Sequence, residues 1–263
     1  MHRPIAAPRN PDCLVDRWDV VQGLRTRTRT SICPVPGANP AVVLVHGLGV
    51  SSRYMVPTAE HIAPDARVFA PDLPGFGRSA RPAEAFDVGR LAAFLDAWMD
   101  AVGLERAVWL GNSFGCQLIV ELALRHPARI ERAVLQGITP DVVHRSRPRH
   151  VARLAADAFL EPPSLVYVAA RDYFRAGVRR CWTTFRYLME DPIEQKLSRL
   201  AAPALVVRGE WDPIVSQEWS ERAAALLPDA RLAVVPGAAH AVNYSHPSVL
   251  AALVRTFAAL GQD

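Results

Sequence analysis

A serine hydroxyl is a poor nucleophile until a base takes its proton, so the first residues to seek are a serine in a special turn and a histidine within its reach. Gly111-Asn112-Ser113-Phe114-Gly115 supplies the turn, directly after the apolar run Val108 to Leu110 and directly before a helical pattern. In that setting Ser113 takes a strained backbone conformation that lifts its hydroxyl from the sheet edge. Side chains at positions 111 and 115 would collide with neighbouring backbone. The helix that follows turns its amino end towards the site, which favours a developing oxyanion. His240, in Gly237-Ala238-Ala239-His240 just past the last strand pattern, is the candidate base. The other histidines have weaker claims. His2 and His61 read as peripheral, His126 ends a helix before Pro127, His144 and His150 sit in an arginine-rich hinge, and His246 caps the final helix.

A histidine that accepts a proton needs a carboxylate to fix its tautomer and stabilise its charge. Asp212, in Gly209-Glu210-Trp211-Asp212-Pro213, follows the apolar run Ala204 to Arg208 and is the favoured acid, with Glu210 and Asp141 as rivals. His46-Gly47-Leu48-Gly49 follows a further run, Val42 to Val45. Its glycines let the chain turn sharply, so the Leu48 and Phe114 amides are expected to form an oxyanion hole. The His46 side chain reads as a structural hydrogen-bonding group rather than a second base. In the irregular loop Asp72 to Ser79, Asp72 is expected to bond nearby amides, with Phe76 at the pocket mouth. The substrate-pocket candidates are His46, Gly47, Phe76, Asn112, Trp182 and Trp211.

The elements that would position these residues are legible in the hydrophobic pattern. Leu14 to Val21, a turn at Gln22-Gly23, and the alternation of Leu24, Thr26, Thr28, Thr30 and Ile32 with Arg25, Arg27, Arg29 and Ser31 predict a hairpin with its arginines in solvent. From residue 41, short apolar runs alternate with helical patterns, which signals a parallel sheet covered on both faces. The strands are expected at Ala41 to Val45, Arg67 to Ala70, Ala107 to Leu110, Ala133 to Gln136, Ala204 to Arg208 and Arg231 to Val235. Helices are expected near 52–63, 88–102, 114–126, 216–227 and 247–260. Residues 139–200 break the rhythm and carry helical stripes: Val151, Leu154, Ala155 and Ala158; then Leu165, Val168 and Ala169; then Trp182, Phe185 and Leu188. They read as a helical insertion over one end of a core made of 1–138 and 201–263.

Taken together, the motifs at 46–49, 72–79, 111–115, 209–213 and 237–240 resemble the α/β-hydrolase superfamily, whose catalytic order is also Ser, Asp, His. The resemblance covers nearly the whole chain from residue 13. It implies an α/β class protein with a mostly parallel, twisted eight-stranded sheet, an N-terminal antiparallel hairpin, helices on both faces and a small helical cap. Gly-Asn-Ser-Phe-Gly looks closest to the branch of meta-cleavage-product hydrolases, which break carbon–carbon bonds in dienoates. The sequence departs from that branch at Cys116, often a glycine, and at Ala241, usually a tryptophan. Hydrolysis of a carboxylic ester through an acyl enzyme on Ser113 is therefore ranked first. Carbon–carbon hydrolysis stands as the alternative, and a non-catalytic small-molecule receptor as the reading from another class.

Composition narrows the partners. Half of the 263 residues are apolar, enough for one large core, and the formal charge is only +4. Lys196 is the single lysine, and no basic block is interleaved with aromatics, so a nucleic-acid partner is not expected. Neither a signal-like start nor a bilayer-length apolar run is present, and the four cysteines, Cys13, Cys33, Cys116 and Cys181, have no metal-like spacing. The expectation is a cytoplasmic enzyme with reduced thiols and a small-molecule substrate. Neither a cofactor nor a metal is required, and a homodimer is compatible with the sequence. Several arginines of the insertion (Arg171, Arg175, Arg179, Arg180 and Arg186) would favour a carboxylate-bearing substrate if they faced the cleft, but a solvated helix face is the plainer reading.

Overall fold

The computed structural model describes residues 13–32 and 40–259. Gln22 and Gly23 both adopt positive φ (50° and 76°), the two-residue turn whose twist suits a hairpin. It joins β1 (Leu14–Val21) to β2 (Leu24–Ser31) with Leu14 opposite Ser31 and Val21 opposite Leu24. The hairpin is where expected, but β2 is not a surface strand. It also pairs with β4 (Val68–Pro71), so both of its edges are occupied. Thr26, Arg27 and Thr28 are all buried, and Arg29 is half-buried; only Arg25 meets the expectation of a solvent-facing arginine. Period-two alternation identifies the strand but does not say what covers its second face.

Hairpin geometry corrects a second expectation. Cys13, just ahead of β1, is disulfide-bonded, and its carbonyl accepts the Ile32 amide at 2.9 Å. An antiparallel hairpin brings its two ends together however far apart they lie in sequence, which spacing alone conceals. Cys116 and Cys181 are free and buried, while Cys33 and His2 lie outside the described residues. The argument for a reducing compartment loses its footing with Cys13. Among the described residues no helix is long and apolar enough to cross a membrane.

The remaining strands are β3 (Val42–Val45), β5 (Ala107–Asn112), β6 (Ile130–Gln136), β7 (Ala204–Gly209) and β8 (Ala230–Val235). The eight strands run in the order β1-β2-β4-β3-β5-β6-β7-β8, parallel from β4 onwards. Their unbroken apolar sequence follows from burial on two faces. Val42, Leu44, Val108 and Leu110 point into one core, with α1 (Val56–Ile62) and α10 (Pro247–Ala258). Val43, Val45 and Trp109 point into the other, with α2 (Val88–Val102), α3 (Phe114–Arg125) and α8 (Gln217–Leu226).

Between β6 and β7 the chain forms the helical cap region: α4 (Arg147–Asp157), α5 (Pro163–Ala176), α6 (Val178–Glu190) and α7 (Ile193–Leu197). The α4 stripe is only partly packed, with Leu154 against the core and Val151 exposed. Leu154, Ala155 and Ala158 also line a cavity above the carboxyl ends of the strands. A short helix, α9 (Val242–Ser245), follows His240.

Close packing at these strand ends demands small residues. A Cβ on Gly209 would lie 2.0 Å from the Ala239 carbonyl oxygen and 2.5 Å from that of Ala238, so the end of β7 presses on the loop carrying His240. Gly209→Ala should destabilise the fold by about 1–3 kcal/mol, with the loop displaced. Urea unfolding checks this; an unchanged midpoint would mean the loop is not pressed against β7.

Candidate active site

Ser113 has φ 54° and ψ −117°, a region that non-glycine residues avoid. Its neighbours make that conformation the one that fits. A Cβ on Gly111 would sit 2.7 Å from the Gly115 carbonyl carbon, and one on Gly115 would sit 2.4 Å from the Val45 oxygen. The Ser113 amide donates to the Gln136 carbonyl at 2.8 Å, which ties the turn to β6. Its hydroxyl lies 3.5 Å from the Thr139 hydroxyl. Phe114 opens α3, where an amide has no acceptor within its own helix, and half-buried Leu48 borders the same cavity.

His240 Nδ1 lies 2.8 Å from Asp212 Oδ2. Asp212 Oδ1 accepts the Ile214 and Val215 amides at 2.8 and 2.9 Å, so the carboxylate is held from both sides. The backbone around the imidazole is anchored just as closely. Gln136 Nε2 donates to the His240 carbonyl at 2.5 Å, while Gln136 Oε1 accepts from Asn112 Nδ2 at 3.0 Å. A Cβ on Gly137 would meet His240 Cε1 at 2.7 Å, so only glycine leaves room for the ring. His240 Nε2 is buried and has no hydrogen-bond partner among the described residues.

Ser113 and His240 line one cavity of about 370 Å³, together with Gly47, Asn112 and cap side chains. Two of those side chains are acids that sequence reasoning missed. Asp157 Oδ1 accepts the His240 amide at 3.2 Å, and Glu161 Oε1 accepts the Ala241 amide at 2.6 Å. The other Glu161 oxygen is buried without a partner among the described residues. Burial alone would lower the His240 pKa, but the Asp212, Asp157 and Glu161 charges outweigh it and raise it to about 9. Burial raises Glu161 to about 7 and lifts Asp157 in the same direction. His150, a further cavity residue, is pushed down to about 4 by burial and by the nearby His240 charge.

The favoured acid is therefore the one that meets the histidine, and its rivals are engaged elsewhere. Asp141 accepts from Arg153, His144 and Ser216, while Glu210 accepts the Gly237 amide at 2.8 Å. His46 is fully buried, with Nδ1 2.8 Å from the Gly47 carbonyl and Nε2 accepting the Leu73 amide at 3.1 Å, so it is a structural bonder and not a pocket wall. Burial lowers its pKa. Asp72 accepts the Ser52 and Arg78 amides, both at 2.8 Å. Phe76 is buried edge-on against His46 rather than at the pocket mouth. Trp211 is 61% exposed, away from the cavity lining. Trp182 lines a neighbouring apolar cavity of about 290 Å³ that shares Leu48, Leu154 and Tyr173 with the first. No cap arginine lines the main cavity. Arg180 instead donates to the Pro82 and Glu84 carbonyls, and Arg186 approaches Glu190 at 3.6 Å. The helical stripe of α4 signalled a buried face; it could not show that Asp157 and Glu161 would be turned inward beside it.

Comparison with known proteins agrees with this architecture. A family model described as alpha/beta hydrolase fold matches residues 40–161, and one described as TAP-like protein matches residues 168–262. The chain is 29% identical to the 2-hydroxymuconate semialdehyde hydrolase of Pseudomonas sp. strain CF600, over 96% of each chain. It is 27% identical to the pimeloyl-[acyl-carrier protein] methyl ester esterase of Pectobacterium atrosepticum, over 84% of this chain and 94% of that one. Among solved structures, a bacterial membrane phospholipase A superposes with a TM-score of 0.80 at 23% identity, covering 95% of this chain and 87% of the other.

The electrostatics of the cavity can be read directly. Each carboxylate favours the imidazolium, so neutralising one must lower the His240 pKa. In an NMR titration His240 should titrate near 9 in the native protein. Its pKa should fall in Glu161→Gln and drop below the ordinary histidine value in Asp212→Asn, where burial dominates. An unshifted His240 in Asp212→Asn would contradict this.

Proposed function

The chain has the α/β-hydrolase fold and is a serine-hydrolase-like relative of meta-cleavage-product hydrolases and esterases, and from that premise we propose that it hydrolyses a small substrate at a carbonyl carbon. Ser113 is the nucleophile, His240 the base and Asp212 its orienting carboxylate. The observation that carries this reading is the imidazole itself: one nitrogen is bonded to Asp212 at 2.8 Å, and the other is buried without a hydrogen-bond partner among the described residues, on a side chain that lines the same cavity as Ser113.

With the His240 imidazole neutral, a form favoured as pH rises towards its pKa of about 9, Ser113 Oγ attacks the carbonyl carbon as its proton passes to His240 Nε2. Asp212 offsets the imidazolium charge. The Leu48 and Phe114 amides receive the oxyanion; loss of one such donor typically costs about 3–4 kcal/mol of transition-state stabilisation. Collapse of the intermediate breaks the bond to the leaving group, which takes the proton from His240. Water, deprotonated by the same histidine, then releases the acid and restores Ser113. The helices of residues 139–200 form the cap that roofs this cavity.

The relatives support cleavage of a carbon–carbon bond, as in a dienoate, ahead of the simple ester that the departures at Cys116 and Ala241 put first. Two 2-hydroxymuconate semialdehyde hydrolases align over 96% and 82% of this chain. An ester is the second reading, and the cavity wall favours it. Asp157 and Glu161 face the site with no arginine beside them, which opposes a carboxylate-bearing dienoate. Ala241, small and buried, adds only apolar surface there.

The two readings separate in one experiment: turnover of a dienoate ketone and of p-nitrophenyl esters of increasing acyl length, by the native protein and by Ser113→Ala. Carbon–carbon cleavage that exceeds ester cleavage and is lost in Ser113→Ala is the expected result. Faster ester turnover would select the second reading. A folded protein inert to both, yet binding them saturably, would favour a receptor.

A further inference from the structure

The arginines that sequence periodicity placed in solvent on β2 meet others at the junction of core and cap. Arg27 and Arg29 from β2, Arg53 after β3, Arg78 from the Asp72 loop, and Arg171 and Arg175 from α5 line one crevice. The acids nearby do not balance them. Asp16 lies 2.6 Å from Arg27 and 3.7 Å from Arg78, and Asp72 lies 3.4 Å from Arg27 while also accepting two backbone amides. The carboxylate of Asp172 accepts the Ser51 hydroxyl at 2.5 Å. Among the described residues Arg29, Arg53, Arg171 and Arg175 form no ion pair, and the Nε atoms of Arg27 and Arg29 are buried without a hydrogen-bond partner.

We propose that this crevice is a binding site for a phosphoryl-class oxyanion. Four guanidinium groups without carboxylate partners exceed what a single carboxylate would neutralise. They also converge from core and cap, the arrangement in which several arginine forks engage one tetrahedral, multiply charged group. Burial above all, with the neighbouring Arg27 and Arg53 charges, holds Arg29 below its ordinary pKa despite the opposing charges of Asp16 and Asp72. The crevice shares no lining residue with the catalytic cavity, so the oxyanion is not the reacting end of the substrate. Its two walls are nevertheless the ones that matter for that cavity. Helix α5 also sends Leu165, Ala169 and Tyr173 into it, and Ser51 follows the loop that carries Leu48. An anion bridging the two walls holds the cap against the core from behind.

Isothermal titration of the full chain, at fixed ionic strength in chloride, tests this with inorganic phosphate, pyrophosphate and glycerol 3-phosphate as probes. One saturable site is expected for at least one probe. Arg171→Ala/Arg175→Ala, both at exposed positions, should weaken it at least tenfold, and Arg53→Gln should weaken it from the core side. Tighter binding of the ester than of inorganic phosphate would indicate a phosphoryl group carried on a larger molecule, and the reverse a free ion; each supports the site. Absence of saturable binding by all three probes, or equal affinity in native protein and both variants, would overturn it. Neither result bears on Ser113.

Discussion

Ser113 is held at φ 54°, and the geometry around it exists to make that backbone conformation the one that closes. The cost is met by close approach: Gly111 and Gly115 allow the turn to fold onto β3, and the Ser113 amide finds its acceptor on β6. The same strand continues the scaffold through Gln136, whose side chain grips the His240 carbonyl and so fixes His240 relative to the anchor of the Ser113 turn. Gly137, next along, leaves the space that the imidazole fills. A parallel sheet brings the carboxyl ends of β3, β5, β6 and β7 to one edge. These few contacts turn that edge into a site.

Charge is distributed unevenly across the cap. On the cavity side, Asp157 and Glu161 reach down from the cap to the backbone amides of His240 and Ala241, so the cap is hydrogen-bonded to the segment carrying the imidazole. Their charges join that of Asp212 in favouring the imidazolium that burial would otherwise suppress. On the other side of α5, arginines from core and cap face one another with too few acids between them. One helix thus borders both the acid-lined cavity beside Ser113 and a basic crevice.

Much of this was legible in the sequence because the informative residues are those that strand ends require. The glycines beside Ser113, the turn before Asp212 and the small residues around His240 mark places where backbone meets backbone, and such places admit few residue types. The sequence was silent where a side chain's neighbour comes from a distant element. Arg27 and Arg29 follow the period of a surface strand, yet Arg27 is buried against Asp16 and Asp72 and both border a crevice walled by α5. Phe76 and Trp211 sit in the right loops but point away from the cavity. Asp157 and Glu161 flank an apolar stripe, and nothing in the stripe says that it roofs the cavity beside Ser113 and turns those two acids into it. Cys13 lies at a hairpin end, where spacing carries no information about pairing.

The most direct test of the central claim, that Ser113 is activated by a base held on Asp212, is labelling with a fluorophosphonate followed by intact-mass and peptide mapping. A single adduct on Ser113 is predicted, forming slower by on the order of a thousandfold or more in His240→Ala. An adduct on another residue, or one forming on Ser113 at the same rate without His240, would contradict the account.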